Sequence, residues 1–361
     1  MSTRFASWVL CVVVAVVVAA MACTACAEVL EVAATCESRA TELDASGPVT
    51  VDSNVERYPE TTTVLPMRVE AGISRAVATE VRGIAQCFSQ FKERNPVPGS
   101  IPDELNLDAA TYSDLLGFSY DVVGLVEERR RIRPTAGETG KADGEQVQFT
   151  SSFYIQGLLV AVAESAGTSL SGLVARVEAT VVHEPNGLPA QTVMSATYEL
   201  VGQADGSVVF GTAGDANPGD AVNLDLAQFV NELDVLRVAI LPAVQISYPY
   251  TATVGAESRL TGRLRVRLVC APGGTGVGAA FGMPGEKIGQ TIDTVLGGTA
   301  GTDLVRAVNN TIATLPAPAI QFLLEPGGGS GLPVACCASA PMGIVGLAVM
   351  LLWTSLRSRR R

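Results

Sequence analysis

The chain carries one histidine, His183, in the stretch VVHEP. An imidazole there could ligate a metal or act as a base. It shares parity with the apolar side of its strand pattern and sits just before Pro185-Asn186-Gly187. No second histidine and no nearby cysteine completes a ligand set, so a hydrogen-bonded residue at a strand end is the simpler reading. The serines of GTSLSG at 167–172 do not form the G-x-S-x-G elbow that exposes a nucleophile, and only His183 could serve them. GGTGVGAA at 273–280 echoes a dinucleotide fingerprint. It follows an alternating, antiparallel type of strand rather than opening a βαβ unit, which favours a flexible loop over a phosphate cradle.

Oxygen ligands cluster in DANPGDAVNLD, where Asp215, Asn217, Asp220, Asn223 and Asp225 could hold calcium. The EF-hand order is missing, and a turn followed by a capped helix accounts for the same residues. EERRRIRP at 127–134 is the densest basic run outside the termini. It could bind an acidic polymer or be cut by a protease; as a solvated strand or rim it would pair with Glu127 and Glu128. Arg259, Arg263, Arg265 and Arg267 alternate along one strand, and four guanidiniums on one face repel unless carboxylates or a ligand lie opposite. In so acidic a chain, internal carboxylates are the simpler answer. No residue is assigned to catalysis, no cofactor is implied, and no metal site beyond that weak calcium candidate is assigned.

The elements that must carry these residues follow from periodicity. Val69, Ile73, Val77, Val81, Ile84, Phe88 and Phe91 step by three and four, which predicts a long amphipathic helix over 67–95. Asn95-Pro96 would stop it. Residues 28–66 are Thr-rich with little periodicity and read as an irregular or short-stranded lead-in; 96–118 read as a linker with a short helix. From 119 to 271 the period becomes two. Leu173, Ala175, Val177, Ala179 and Val181 share one parity, and Asp205-Gly206 reads as a hairpin turn. Ile246 to Val254 and Leu260 to Cys270 each alternate dry and wet and read as a hairpin, with Pro249 implying an edge or a bulge. A Gly-rich loop and two helices follow over 272–316, then a stalk over 317–333. The fold class expected is mainly β: an antiparallel sheet or sandwich with a long N-terminal helix and two C-terminal helices packed on it. The order helix, strand meander, helix resembles the lipid-binding domain of the bactericidal/permeability-increasing protein family, where a curved sheet wraps a helix around an apolar tunnel.

The two ends speak to location. Arg4, the apolar run Trp8 to Ala22, and Ala25 and Ala27 before Glu28 read as a signal peptide over 1–27. Residues 334–356 read as a transmembrane or sorting helix, and Arg357, Arg359, Arg360 and Arg361 as a cytoplasmic stop. GGGSG at 327–331, Cys336–Cys337, the apolar run 342–356 and RSRRR together resemble the MYXO-CTERM sorting signals of bacterial surface proteins. The resemblance covers about 35 residues and makes Cys336 or Cys337 the processing site. It departs from the pattern in having Cys-Cys where Gly-Cys is usual.

The composition is 48% hydrophobic and 17% charged, with a net charge of −11. Five of the 25 basic residues lie in the ends, which leaves 20 against 36 acidic residues in the middle. A body this negative excludes nucleic acid as a partner. The expected partners are the membrane, through the C-terminal helix, and an extracellular protein, glycan or lipid. Cys36, Cys87 and Cys270 remain in the ectodomain, and Cys87–Cys270 is the candidate disulfide between helix and sheet. The chain thus reads as a single-pass, surface-anchored ectodomain, extracellular or periplasmic, with a binding or structural role. A carrier of a lipid or other apolar ligand between helix 67–95 and the sheet is the alternative.

Overall fold

The computed structural model of the chain describes residues 27–44, 47–61, 68–76, 83–92, 104–113, 119–165, 169–227, 233–270, 276–282 and 306. They are mainly β, arranged as two seven-stranded antiparallel sheets that face each other. The strands are β1 (Ala27–Asp44), β2 (Gly47–Thr61), β3 (Arg68–Ala76), β4 (Gly83–Lys92), β5 (Glu104–Ser113), β6 (Ser119–Pro134) and β7 (Gln146–Ala163). There follow β8 (Val174–Pro185), β9 (Gln191–Gly202), β10 (Val208–Gly214), β11 (Val222–Asp225), β12 (Val235–Thr253), β13 (Ser258–Val269) and β14 (Val277–Gly282). Sheet A runs β10-β9-β8-β13-β6-β1-β2 and sheet B runs β11-β12-β7-β14-β5-β4-β3. Sequence neighbours such as β5 and β6, or β7 and β8, lie in opposite sheets and touch across the core. The chain thus changes sheet repeatedly, three times in succession from β5 to β8, while pairs such as β1–β2 and β8–β9 stay within one sheet.

Alternation builds the core. Leu173, Ala175, Val177, Ala179 and Val181 of β8 are fully buried, as are Phe153, Ile155 and Leu159 of β7. The dry parities of β12 and β13 point inward as their pattern requires. These two strands are not a hairpin, however: β12 belongs to sheet B and β13 to sheet A. Each apolar face meets the other sheet instead of a cross-strand neighbour, and periodicity cannot tell those arrangements apart. Pro249 falls opposite Thr150 of β7, where among the described residues β12 has no pairing on its other side, since β11 reaches only Arg237–Ile240. A register shift also follows Leu241.

The expected helix over 67–95 is corrected to the antiparallel hairpin β3–β4. In β4 the buried residues are Ala85, Cys87 and Ser89, while Phe88 of the supposed helical stripe is only part-buried. The reason lies in sheet A. A Cβ on Gly124 of β6 would come 2.7 Å from the Cys87 sulfur and 2.8 Å from Leu107 Cδ2. The sheets approach so closely here that β6 has room only for a glycine against Cys87 and Leu107. The tunnel expected of an apolar-ligand carrier lies against a helix over 67–95, and residues 68–76 and 83–92 of that segment are strands.

Three further expectations change. The irregular lead-in 28–66 contains β1 and β2, which pair along most of their length. The linker and short helix over 96–118 contain β5. The Gly-rich loop of 272–316 contains β14, a central strand between β5 and β7. Gly278 sits there because a Cβ would meet Tyr112 Cδ2 at 2.8 Å. The C-terminal helices, the stalk, the transmembrane segment and residues 1–26 of the signal peptide lie outside the described residues. Among the described residues, no helix is long and apolar enough to cross a membrane.

Candidate functional site

Outward-facing residues of sheet A form a lattice of opposite charges. Antiparallel register puts Arg263 opposite Glu127, Arg265 opposite Glu178, Arg259 opposite Glu184 and Arg176 opposite Glu199. Each of these is an ion pair: Arg263 with Glu127, Arg265–Glu178 at 3.5 Å, Arg259–Glu184 at 3.4 Å and Arg176–Glu199 at 2.6 Å. Arg267 reaches diagonally to Asp121 at 2.8 Å. Internal carboxylates thus answer the arginine ladder. Arg131 and Arg259 face each other as like charges. The conflict is relieved because Arg131 turns to Glu31 and Glu257. Most of the ladder guanidiniums stay more than 40% exposed, so each pair contributes roughly 0–1 kcal/mol.

A groove of about 480 Å³ crosses this face from β1 to β8. Val123 and Leu125 line it beside Glu37, Arg39, Glu178 and Arg265. Glu37 and Arg39 lie side by side with Leu125 and Val123 respectively. Neither forms an ion pair among the described residues. Arg39 Nε is buried without a hydrogen-bond partner. Nothing in the reading of 28–66 as irregular pointed to this pair. The signal was present all the same: Cys36, Ser38 and Ala40 are small, buried and spaced by two, which leaves Glu37 and Arg39 on the other face.

The basic run splits by parity. Glu127, Arg129 and Arg131 face out, whereas Glu128 and Arg130 point into the sandwich at 0% and 3% exposure. These two form an ion pair inside the core. Reading the whole run as a solvated rim is corrected to that extent: Glu128 and Arg130 share parity with Tyr120, Val122 and Val126, and the strand's inward face takes them along. Tyr248 lies within their field; burial pushes its hydroxyl up to about 12.

His183 sits at the same end of the core, 2% exposed. Its ring lies 5.0 Å from that of Tyr250, which stacks on Phe149 at 5.3 Å. Burial lowers its pKa from the ordinary histidine value. His183 Nε2 has no hydrogen-bond partner, so the expected bonded strand-end residue is instead an aromatic packing residue. Among the described residues, no serine or cysteine hydrogen-bonds to it.

The calcium candidates do not converge. Asp215 Oδ2 accepts from Ser195 N at 2.8 Å, and Asp225 pairs with Arg237 at 3.0 Å. Asp220 Oδ2 accepts from the Tyr198 hydroxyl at 2.6 Å and from Asn217 N at 2.9 Å. Asn217 and Asp220 close a short 3-10 turn, Pro218–Asp220, followed by β11 rather than by a helix. No cluster of three metal-binding side chains occurs among the described residues.

The three thiols Cys36, Cys87 and Cys270 are buried, and no disulfide joins them. Cys87 belongs to sheet B, beside Ser89 at 3.9 Å. Cys270 follows β13 of sheet A and lies 3.1 Å from the Thr111 hydroxyl; burial pushes its thiol up to about 11. The expected Cys87–Cys270 clip is therefore not made: the helix it was to tie down is a strand already held by its neighbours. Ala27 opens β1 opposite Pro134. Cys336, Cys337, Arg357, Arg359, Arg360 and Arg361 lie outside the described residues. No protein-family model matches the chain, and no curated protein matches it in sequence.

Proposed function

We propose that the chain is the ectodomain of a surface-anchored protein, carried across a membrane by residues 1–27 and held by its C-terminal tail, with a binding or structural role and no catalysis. The observation that carries the binding role is the groove on sheet A. It joins an apolar floor to a carboxylate and a guanidinium that form no ion pair among the described residues. Rigid strands place both charges, which favours recognition over chemistry. The location rests on the motifs of the two ends, the signal over 1–27 and the tail over 327–361.

Intact cells expressing the full chain, treated with an external protease, test the location. The body is expected to be digested from outside, and mass mapping is expected to find Glu28 as the first residue. Full-length chain recovered from the cytosol with residues 1–27 attached would falsify the proposal.

A further inference from the structure

We infer that the outer face of sheet A is a self-association surface, and that two copies of this chain pair across it about a two-fold axis, Glu37 of each against Arg39 of the other. This rests on the reading of sheet A as the contact face. Glu37 and Arg39 are two residues apart on β1, hence on the same face and about 6.6–7 Å apart. Two such strands related by a two-fold axis present Glu37 to Arg39 and Arg39 to Glu37 at once. A two-fold interface requires this reciprocity, since each residue must meet its complement in an identical surface.

The surroundings fit the same partner. The chain carries a net charge of −11, so two copies repel unless they meet through a face without excess charge. Sheet A is such a face: arginines and carboxylates balance in number among its ion-paired residues. Beside Glu37 on the edge strand lies Val55, an apolar side chain 44% exposed. Leu125 and Val123 lie on the other side of Glu37 and Arg39, so apolar side chains border the two charges on both sides. Seven strands spaced ~4.8 Å apart and about ten residues long span roughly 1,000 Å² per copy. A standard interface takes about 800 Å² per partner.

The test uses the full chain purified in mild detergent, its mass read by sedimentation. Wild type is expected to show a monomer–dimer equilibrium. Glu37→Arg and Arg39→Glu are each expected to weaken it at least about tenfold, because like charges then meet across the axis. An equal mixture of the two variants is expected to pair again, since arginines at 37 and 39 then face glutamates at both positions. The double variant, which swaps the two charges, is expected to pair like wild type. These recoveries separate a lost contact from a lost fold. A chain monomeric at every concentration overturns the proposal. So does a dimer indifferent to all the reversals, which would be held by the tail. Neither result depends on where the protein resides, so a failure here is distinct from a failure of surface display.

Discussion

The most informative residues are those whose chemistry conflicts with their surroundings. Glu128 and Arg130 are charged and buried, and they form an ion pair with each other. Glu128→Leu alone leaves a buried guanidinium and is expected to cost about 3–5 kcal/mol, whereas Glu128→Leu with Arg130→Met is expected to cost much less. Urea unfolding of the single and double variants compares them. Gly124 is constrained by sterics rather than charge: Gly124→Ala is expected to cost about 1–3 kcal/mol, part of it recovered by Cys87→Ala in the same chain. Additive losses in that double variant would mean the two sheets do not meet there. His183 gives a pH signature. Its folded pKa is lowered while the unfolded one is ordinary, so the unfolded state takes up protons first on acidification. Stability is full above the unfolded value and falls as pH drops below it. Since the chain has one histidine, melting between about pH 7.5 and 5.5 isolates the effect, and His183→Phe is expected to flatten that slope.

At the scale of the element, hydrogen-bonded turns and close strand contacts replace sites that composition alone suggests. Asp220 holds Tyr198 and Asn217 across the turn before β11. Asp220→Ala is expected to lower stability by about 1–3 kcal/mol through these lost bonds, with the same melting temperature in calcium as in a chelator. A calcium-dependent rise in the wild type would restore the metal reading. The cysteines make a parallel case. Cys36, Cys87 and Cys270 lie between strands, and thiol reagent is expected to label none of the three until the protein is unfolded. Peptide mapping reads this directly, and a Cys87–Cys270 disulfide in the native protein would contradict it. β8, β12 and β13 could be read from period two because apolar and polar residues alternate regularly along them. In β4 the buried residues among those described are Ala85, Cys87 and Ser89, and such small side chains carry little hydrophobic contrast.

For the molecule as a whole, length and layering decide what is exposed. Strands such as β1, β7 and β12 run 18 or 19 residues, about 60 Å. Over part of that length β7 and β12 are buried on both faces: Leu158, Val160 and Val162 join Leu236, Val238 and Ile240 in a second apolar cluster outside the sandwich core. The opposite outer face, on sheet A, is ionic. Further along the same strands Gln245, Ser247 and Thr251 are exposed, so only that part of sheet B has a buried outer face, whereas the ion-paired outer face of sheet A is open. The charge-reversal series at Glu37 and Arg39 belongs to this scale, since it tests a surface and not a contact within the fold.

Sequence alone determined the β class, the inward parity of β8, β12 and β13, the hairpin at Asp205-Gly206 and the need for carboxylates opposite the arginine ladder. All four follow from local alternation and charge, which neighbouring residues report. Only the tertiary structure decided which strands share a sheet, that Glu128 and Arg130 point into the core, and that Glu37 and Arg39 lie together in a groove. Those depend on which distant strand comes alongside, and on how closely two sheets approach at a glycine. No short window of sequence contains either quantity.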